Sequence, residues 1–169
     1  ASHYEESMCG DLDYQAPDRL EDAMSTHLGD RVGLSVLDLG CGTGLSGRKL
    51  RSRAKRLHGI DLSAQMVEIA RGVGIYDCLE TAEITGWLGA AEGLRFDLIT
   101  ACDCLIYFGD LGQVVKPAGR LLNPGGLIIL TVERGEVAPY RLTDSGRYAH
   151  HPDHIRDLSK TSGLELLAI

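Results

Sequence analysis

A chain of 169 residues with 44% apolar side chains can bury one substantial core and has little left for a second domain. Its formal net charge of −7 argues against a protein held to a nucleic-acid backbone, which needs a net basic face to displace phosphate counterions. No apolar run approaches the roughly 20 residues that span a bilayer, and the polar, acidic start does not read as a signal peptide. The cysteines, Cys9, Cys41, Cys78, Cys102 and Cys104, are odd in number and lie on or beside apparent core strands, so they read as reduced thiols in a cytoplasm. The missing initiator Met points to processing, trimming or excision from a longer protein.

Pro17 at a first-turn position, with Leu20, Ala23, Met24 and Leu28 at helical spacing, predicts an N-terminal helix that Gly29 ends. Residues 34–39 read as the first buried strand, and residues 45–53 continue as a helix out of a glycine-rich loop. A short strand over 57–60 is closed by Asp61. Ser63 is suited to cap the next helix, with Met66, Val67 and Ala70 on its inner face. A weaker strand over 79–83 precedes the apolar pair Trp87 and Leu88, and residues 96–101 are mostly apolar and β-prone and read as a strand.

Leu111, Val114, Val115, Ala118, Leu121 and Leu122 then recur at spacings of three and four, predicting a helix that Pro117 should break or kink. Asn123-Pro124-Gly125-Gly126 reads as a turn and 127–132 as another buried strand. Residues 133–151 show no regular period, which marks a candidate lid or substrate loop. A helix over 153–162 and a strand over 164–169 close the chain. The expected organisation is a single domain: an N-terminal segment and helix over 1–30, a ligand-binding core over 31–132, the substrate loop over 133–151, and the terminal helix and strand over 152–169.

Strand and helix alternate throughout, which predicts an α/β chain: a doubly wound, mostly parallel sheet with right-handed crossovers and helices on both faces. Ligands of such sheets sit outside the carboxyl ends of the strands. That is where Val36-Leu37-Asp38-Leu39-Gly40-Cys41-Gly42-Thr43-Gly44 ends in three glycines at every second position. Glycine in a strand end costs backbone entropy, and its use here is to let the backbone pass close to a ligand and turn into a helix.

Two registers compete. Gly42-Thr43-Gly44-Leu45-Ser46-Gly47, with Asp61 further on, satisfies the G-x-G-x-x-G dinucleotide fingerprint, so an NAD-dependent oxidoreductase using Gly42, Gly44 and Gly47 is a rival reading. In that register Asp38 stands just before a site meant for pyrophosphate, where like charges repel. A ligand with an ammonium and a sulfonium and no phosphate removes the conflict.

The stretch from Val36 to Gly44 resembles motif I of the class I S-adenosylmethionine-dependent methyltransferases. The likeness continues in His58-Gly59-Ile60-Asp61-Leu62-Ser63, similar to the family's second strand, in Arg95-Phe96-Asp97-Leu98-Ile99-Thr100, similar to its fourth, and in Leu122-Asn123-Pro124-Gly125-Gly126-Leu127, similar to the turn into its fifth. More narrowly, 105–111 and 140–150 resemble bacterial methyltransferases associated with tetratricopeptide repeats, although no repeat is present here.

The resemblance implies a Rossmann-like fold and S-adenosylmethionine as cofactor, with S-adenosylhomocysteine as product. It puts Gly40, Cys41, Gly42 and Gly44 under the methionine and ribose, and Asp38 on the amino group directly or through water. Asp61 would take the ribose hydroxyls, Leu62 and Met66 the adenine, and Glu83 and Ile84 the adenine amino end. Cys102 and Asp103 would face the reacting end. The family ordinarily finishes with a sixth strand and an antiparallel seventh, whereas this sequence offers only a sixth. Truncation, a bound partner and a homodimer through the open sheet edge are the alternatives this leaves.

Plainer readings stand beside these. Asp61 could simply cap the helix at Ser63, Met66 could be ordinary core, and Glu83 a solvated strand end. Arg48, Lys49, Arg51, Arg53, Lys55 and Arg56 sit late in a helix and just beyond it, where cations are favourable without any ligand. His150 and His154 are four apart, but Pro152 lies between them and no set of ligands is completed, so no metal is expected. Cys102 and Cys104 alternate to one side of an extended chain and read as packing thiols.

Methyl transfer from a sulfonium needs alignment above all. For an alcohol, phenol or amine acceptor a base must take the proton, and His150 and Asp103 are the candidates. The acidic charge, and the absence of a [DN]-P-P-[YF] sequence at Cys102-Asp103-Cys104-Leu105, favour a small molecule or a protein side chain over nucleic acid as acceptor. A cofactor-binding but catalytically silent module is the remaining alternative.

Overall fold

The computed structural model describes residues 15–169; Cys9 and the acidic start lie outside them. Pro17 opens α1 (Ala16–Leu28), which buries Leu20, Met24 and Leu28, the positions the helical spacing selects. Then follow β1 (Leu34–Leu39), α2 (Leu45–Arg51), β2 (Ala54–Asp61), α3 (Ala64–Val73), β3 (Cys78–Thr81), α4 (Ile84–Ala90), β4 (Phe96–Ala101), α5 (Gly112–Arg120) and β5 (Leu122–Leu130). The strands form one parallel sheet in the order β3-β2-β1-β4-β5. This is the doubly wound arrangement that the alternation predicts.

Strand alternation divides the core between the two faces. Val36, Leu57 and Leu98 pack with α1 and with Leu50 of α2 on one side. Leu37, Leu39, Ile60, Ile99 and Ala101 pack on the other with Ile84 and Leu88 of α4 and Val114, Val115 and Ala118 of α5. Burying a leucine or isoleucine of this kind contributes about 1.5–3 kcal/mol. The two layers therefore hold β1 and β4 at the centre, where the glycine loop leaves the sheet.

Several expectations change. Trp87 and Leu88 lie on a helix, α4, in place of a bare apolar pair, because Glu83 caps its first amides. Helix α5 continues through Pro117; a proline forfeits its own amide bond, and buried Val114, Val115 and Ala118 hold the turns around it. The turn at Asn123 to Gly126 is a bulge within β5, since Phe96 pairs with Leu122 but Leu98 with Leu127. Residues 133–151 are not irregular: β6 (Glu133–Arg134), β7 (Tyr140–Leu142) and β8 (Tyr148–His150) form a small sheet in the order β6-β8-β7, followed by α6 (Pro152–Thr161). The strand predicted over 164–169 does not form. Leu164 instead packs its methyls against Gly119 of α5.

Lys49, Arg51 and Arg53 of the basic cluster are structural. Lys49 bonds Glu21 at 2.6 Å and lies 3.2 Å from Asp18, tying α2 to α1; Arg53 reaches the carbonyl of Gly29. Arg51 bonds Asp77 at 2.7 Å, and Asp77 also accepts the Leu57 amide at 2.7 Å. On the neighbouring strands Asp97 accepts the Ser35 amide at 2.9 Å and Asn123 Nδ2 at 2.9 Å. Both carboxyls are held below the usual carboxylate range, Asp77 by the Leu57 amide and then Arg51, Asp97 by the Ser35 amide and then Asn123.

A depressed folded value means that this stabilisation is complete above the unfolded carboxyl value of about 4 and is lost as pH falls through the folded one. The acid limb of urea stability, below about pH 4, is therefore expected to be shallower in Asp77→Asn and Asp97→Asn than in the wild type. An unchanged limb would remove these ties from the account.

Among the described residues no helix is long and apolar enough to cross a membrane, and Cys41, Cys78, Cys102 and Cys104 are unbridged.

Candidate cofactor site

The register sets the carboxyl ends of the strands level. Leu39 lies beside Ile60 and Ala101, and Asp61 beside Thr81. From β1 the chain winds outward to β2 and β3, then returns across the sheet to β4 and β5. Gly40 to Gly44 leave β1 at this switch point, where an open α/β sheet has its crevice.

Asp61 is the hinge of the loop. Its Oδ2 accepts the Gly42 amide at 2.9 Å and its Oδ1 accepts the Ser63 amide at 2.8 Å, so one carboxylate ties the glycine loop to the start of α3. Ser63, and not Asp61, caps α3, accepting the Met66 amide; the cap reading of Asp61 therefore gives way. Each carboxylate oxygen has lone pairs beyond those two bonds. Leu62, next in the chain, is 72% exposed although leucine is apolar, and Met66 is half-buried one turn further on.

The loop itself has left-handed backbone at Gly40 (φ 68°), Gly42 (φ 52°) and Gly44 (φ 95°), which glycine alone adopts cheaply. A side chain at Gly42 would meet no atom within 4 Å. Here the backbone borders open space. Cys41 between them is buried, and its thiol pKa is pushed up by burial first and then by Asp38 and Asp61.

Asp38 is placed differently from the expectation. It is fully buried on the α1 and α2 face of the sheet, where Thr100 donates to Oδ1 at 3.0 Å and Ser46 and Tyr76 donate to Oδ2 at 2.8 and 2.7 Å. Burial raises its pKa, an effect the three hydroxyls oppose. Both oxygens are already engaged inside the protein, so Asp38 braces the loop from beneath and does not present a carboxylate to the cleft.

The sequence reading missed Tyr76, Ser46 and Thr100. Gly47 and Gly59 make room for Tyr76: their Cβ positions would lie 2.2 Å from its hydroxyl and 2.7 Å from its ring. Tyr76→Phe is expected to cost about 1–3 kcal/mol by leaving the buried carboxylate short of a donor, measured as a lower urea midpoint. An unchanged midpoint would show the bond to be dispensable.

After β4 the chain does not stay extended. Asp103 has a left-handed backbone, φ 56°, uncommon for a residue with a side chain, and its amide donates to Thr131 Oγ1 at 2.8 Å. The turn separates the two cysteines that an extended chain would have kept on one side. Cys102 packs into the α1 face and its thiol is pushed up to about 12, chiefly by burial. Its side chain therefore does not face the reacting end as predicted. Cys104 swings to the opposite face, beside the cluster under α4 and α5, and its thiol donates to Leu39 O at 3.2 Å. The Asp103 carboxylate accepts no hydrogen bond from a described residue and is partly exposed.

Glu83 is exposed, and both its oxygens accept bonds at the start of α4: Oε1 from the Thr85 amide, Oε2 from the Gly86 amide and the Thr85 hydroxyl. These bonds, the Thr85 hydroxyl first, hold its carboxyl below the usual range. It is the cap of α4, two residues past the end of β3. Ile84 is buried in the core beneath it.

His150 is also corrected. It is 1% exposed, and its Nε2 lies 2.9 Å from Phe108 O and 3.1 Å from Gly109 O. Carbonyls only accept, so Nε2 carries the proton and Nδ1 the lone pair, and Nδ1 has no partner among the described residues. Burial lowers the ring's pKa, opposed by the two carbonyls. The imidazole thus ties β8 to the segment after β4, with Tyr140 and Tyr148 packed over Gly109 beside it.

An exposed apolar side chain, an anchored carboxylate and open backbone at Gly42 converge at one edge, and they fit a nucleoside that carries a free ribose. A family model for a methyltransferase domain matches residues 37–128, more than half of the chain. The chain belongs to the class I S-adenosylmethionine-dependent methyltransferases. S-adenosylmethionine is the cofactor of the family.

Among curated relatives, the ubiquinone biosynthesis O-methyltransferase of Coxiella burnetii (strain Dugway 5J108-111) is 27% identical over 159 residues, 81% of this chain and 66% of that protein. The enzyme of the same name from Xanthomonas oryzae pv. oryzae (strain PXO99A) is 30% identical over 120 residues, 69% of this chain and 50% of that protein. This methyltransferase chain thus spans between half and two thirds of the length of those relatives.

Of solved structures, a S-adenosylmethionine-dependent methyltransferase from Clostridium acetobutylicum ATCC 824 shares the fold, with a TM-score of 0.74 and 20% identity over 99% of this chain and 87% of that one. The [4+2]-cyclase SpnF is likewise similar, with a TM-score of 0.72 and 26% identity over 91% of this chain and 60% of that one. A methyltransferase fold is thus also found in a protein named for a cyclisation.

Proposed function

We propose that the chain transfers the methyl group of S-adenosylmethionine to a hydroxyl oxygen of a small molecule. The observation that carries the cofactor half is the Asp61 carboxylate, anchored by the Gly42 and Ser63 amides at the level of open backbone. The acceptor half is supported by the two curated relatives named as O-methyltransferases.

S-adenosylmethionine supplies a methyl group on a positively charged sulfur, displaced in line with a neutral leaving group. The residues of this chain bind and align. Asp61 would hold the ribose hydroxyls with the lone pairs left after its two amide bonds, and Leu62 and Met66 would cover the adenine. The loop from Gly40 to Gly44, braced by Asp38 beneath, would carry the methionine end. Asp103 is the base on this reading, accepting the acceptor's hydroxyl proton on a carboxylate that no other group occupies. His150 is a positioning residue: its N–H to Phe108 and Gly109 sets the acceptor wall formed by the segment after β4 and the small sheet.

Calorimetry with S-adenosylmethionine, S-adenosylhomocysteine and NAD, followed by a screen of hydroxylated small molecules for S-adenosylhomocysteine release, tests the reading. Binding of both sulfur compounds and turnover of a hydroxylated acceptor are expected. NAD binding without response to either sulfur compound would overturn it, and cofactor binding with no acceptor turned over, protein or small, would make the chain a silent module.

For His150, the expected result of His150→Ala is an acceptor KM raised about 10- to 100-fold. Partial rescue is expected in His150→Gln, whose amide can donate to the same carbonyls, with the pH profile of kcat unchanged in both. Loss of a pH limb would return His150 to the role of base, and undiminished turnover with an unchanged KM would remove it from the site.

A further inference from the structure

The cluster His58, Cys78 and Glu80 lies outside every role assigned above. In the parallel pairing of β2 with β3, His58 stands beside Cys78, and Glu80 follows two residues on, so all three side chains share the sheet face that carries α4. Their donor atoms, an imidazole nitrogen, a thiol sulfur and a carboxylate oxygen, lie within 4.8 Å of one another. His58 is only 5% exposed, its ring edge-on to Trp87 at 5.1 Å between centroids, which fixes its orientation. Its Nε2 lies 2.7 Å from Glu80 Oε1 without the alignment of a ring N–H bond, and no other described residue satisfies this buried atom.

We propose that His58, Cys78 and Glu80 form a three-donor site for a divalent transition metal of the zinc class. A tetrahedral ion with bonds of about 2.0–2.3 Å holds its donors roughly 3.3–3.7 Å apart. The observed cluster needs only side-chain adjustment to reach that span. One nitrogen, one sulfur and one oxygen select zinc, cobalt or nickel over magnesium or calcium, which take oxygen throughout. On binding, the Cys78 thiol gives its proton to solvent and the metal–sulfur bond replaces it. Water completes the coordination on the side where Glu80 is exposed.

The consequence is local. Strand β3 has four residues and pairs only with β2, and it leads directly into the Glu83 cap and α4. A metal at its base pins the outer edge of the sheet one strand away from Asp61. The pattern was invisible as a motif because the ligands are twenty residues apart in sequence and meet only through the register.

Titration of the full chain with Co2+ tests the site. The expected result is stoichiometric binding with visible ligand-field bands and a near-ultraviolet thiolate charge-transfer band, both displaced by Zn2+, and a Tm raised by Zn2+ but not by Mg2+. Cys78→Ser should abolish the charge-transfer band and weaken binding about 10- to 100-fold, and Glu80→Gln should weaken it with the band retained. Both substituted side chains lie on the edge strand β3, Glu80 with 46% of its side chain exposed, so the fold is expected to persist, checked by circular dichroism. A wild-type chain without these bands, or bands unaltered in Cys78→Ser, would leave His58 and Glu80 as an ion pair alone and overturn the proposal.

Discussion

Asp61→Ala is expected to weaken S-adenosylmethionine binding by at least about 100-fold while the chain remains folded. The magnitude follows from the two parts that the proposed function gives the carboxylate. A hydrogen bond to a charged group is worth about 1.5–3 kcal/mol, and two ribose hydroxyls on one carboxylate make about 3–6 kcal/mol, or roughly 10²- to 10⁴-fold in affinity. Alanine also frees the amides of Gly42 and Ser63, so the loop loses the tie that sets its distance from α3. Asp61→Asn separates the two effects, because its amide NH2 would face one of those backbone donors where an oxygen now accepts. Calorimetry should rank wild type above Asn and Asn above Ala. Affinities within about threefold of wild type, a difference of only about 0.6 kcal/mol, would take Asp61 out of the cofactor site.

Gly40→Ala is expected to be the most destabilising single substitution in the loop. Its Cβ would lie 2.5 Å from Cys104 Cβ and 2.8 Å from Cys104 Sγ, and its φ of 68° is left-handed. The conformation costs about 1–2 kcal/mol for an L residue, and forcing an extra carbon into a packed site about 1–3 kcal/mol more. Together these approach the whole stability of a marginal domain. Gly42→Ala carries the first cost without the second, since nothing lies within 4 Å of its Cβ.

Urea unfolding should therefore show Gly40→Ala well below Gly42→Ala. Cofactor affinity relative to remaining folded protein should show the reverse, because the new methyl at position 42 enters the ligand's space. Adding Cys104→Gly to Gly40→Ala should recover the steric part and leave the backbone part. Equal stability of the two alanine variants would contradict the contact.

What could be read from the sequence was local or belonged to an ordered set. Phe96–Ala101 reads as a strand and is one with the same ends, because five of its six residues are apolar or β-prone and only Asp97 interrupts them. Ser63 caps α3 as its position foretells. Helix α4 was hidden by its brevity, by Gly86 and Gly89 within it, and by a capping glutamate that had an equally plausible assignment as a ligand contact. Asp38 illustrates the other limit. Its position in the motif identified the loop, but its partners come from Ser46, Tyr76 and Thr100 on three other segments. No spacing rule brings residues 38 apart together. The turn at Asp103 was equally illegible, since neither glycine nor asparagine marks it, and it alone decides that Cys102 and Cys104 part company.

Tyr76 gives these positions a shared history. Its ring occupies the space that side chains at Gly44, Gly47 and Gly59 would need, with approaches of 3.3, 2.4 and 2.7 Å, while its hydroxyl serves Asp38. A larger residue at 47 or 59 becomes tolerable only after position 76 has shrunk, and a shrunken 76 leaves a void until they grow. Substitutions at these sites should therefore travel as a group through the chain's descendants, and a randomised library should return them in compensated sets and seldom one at a time.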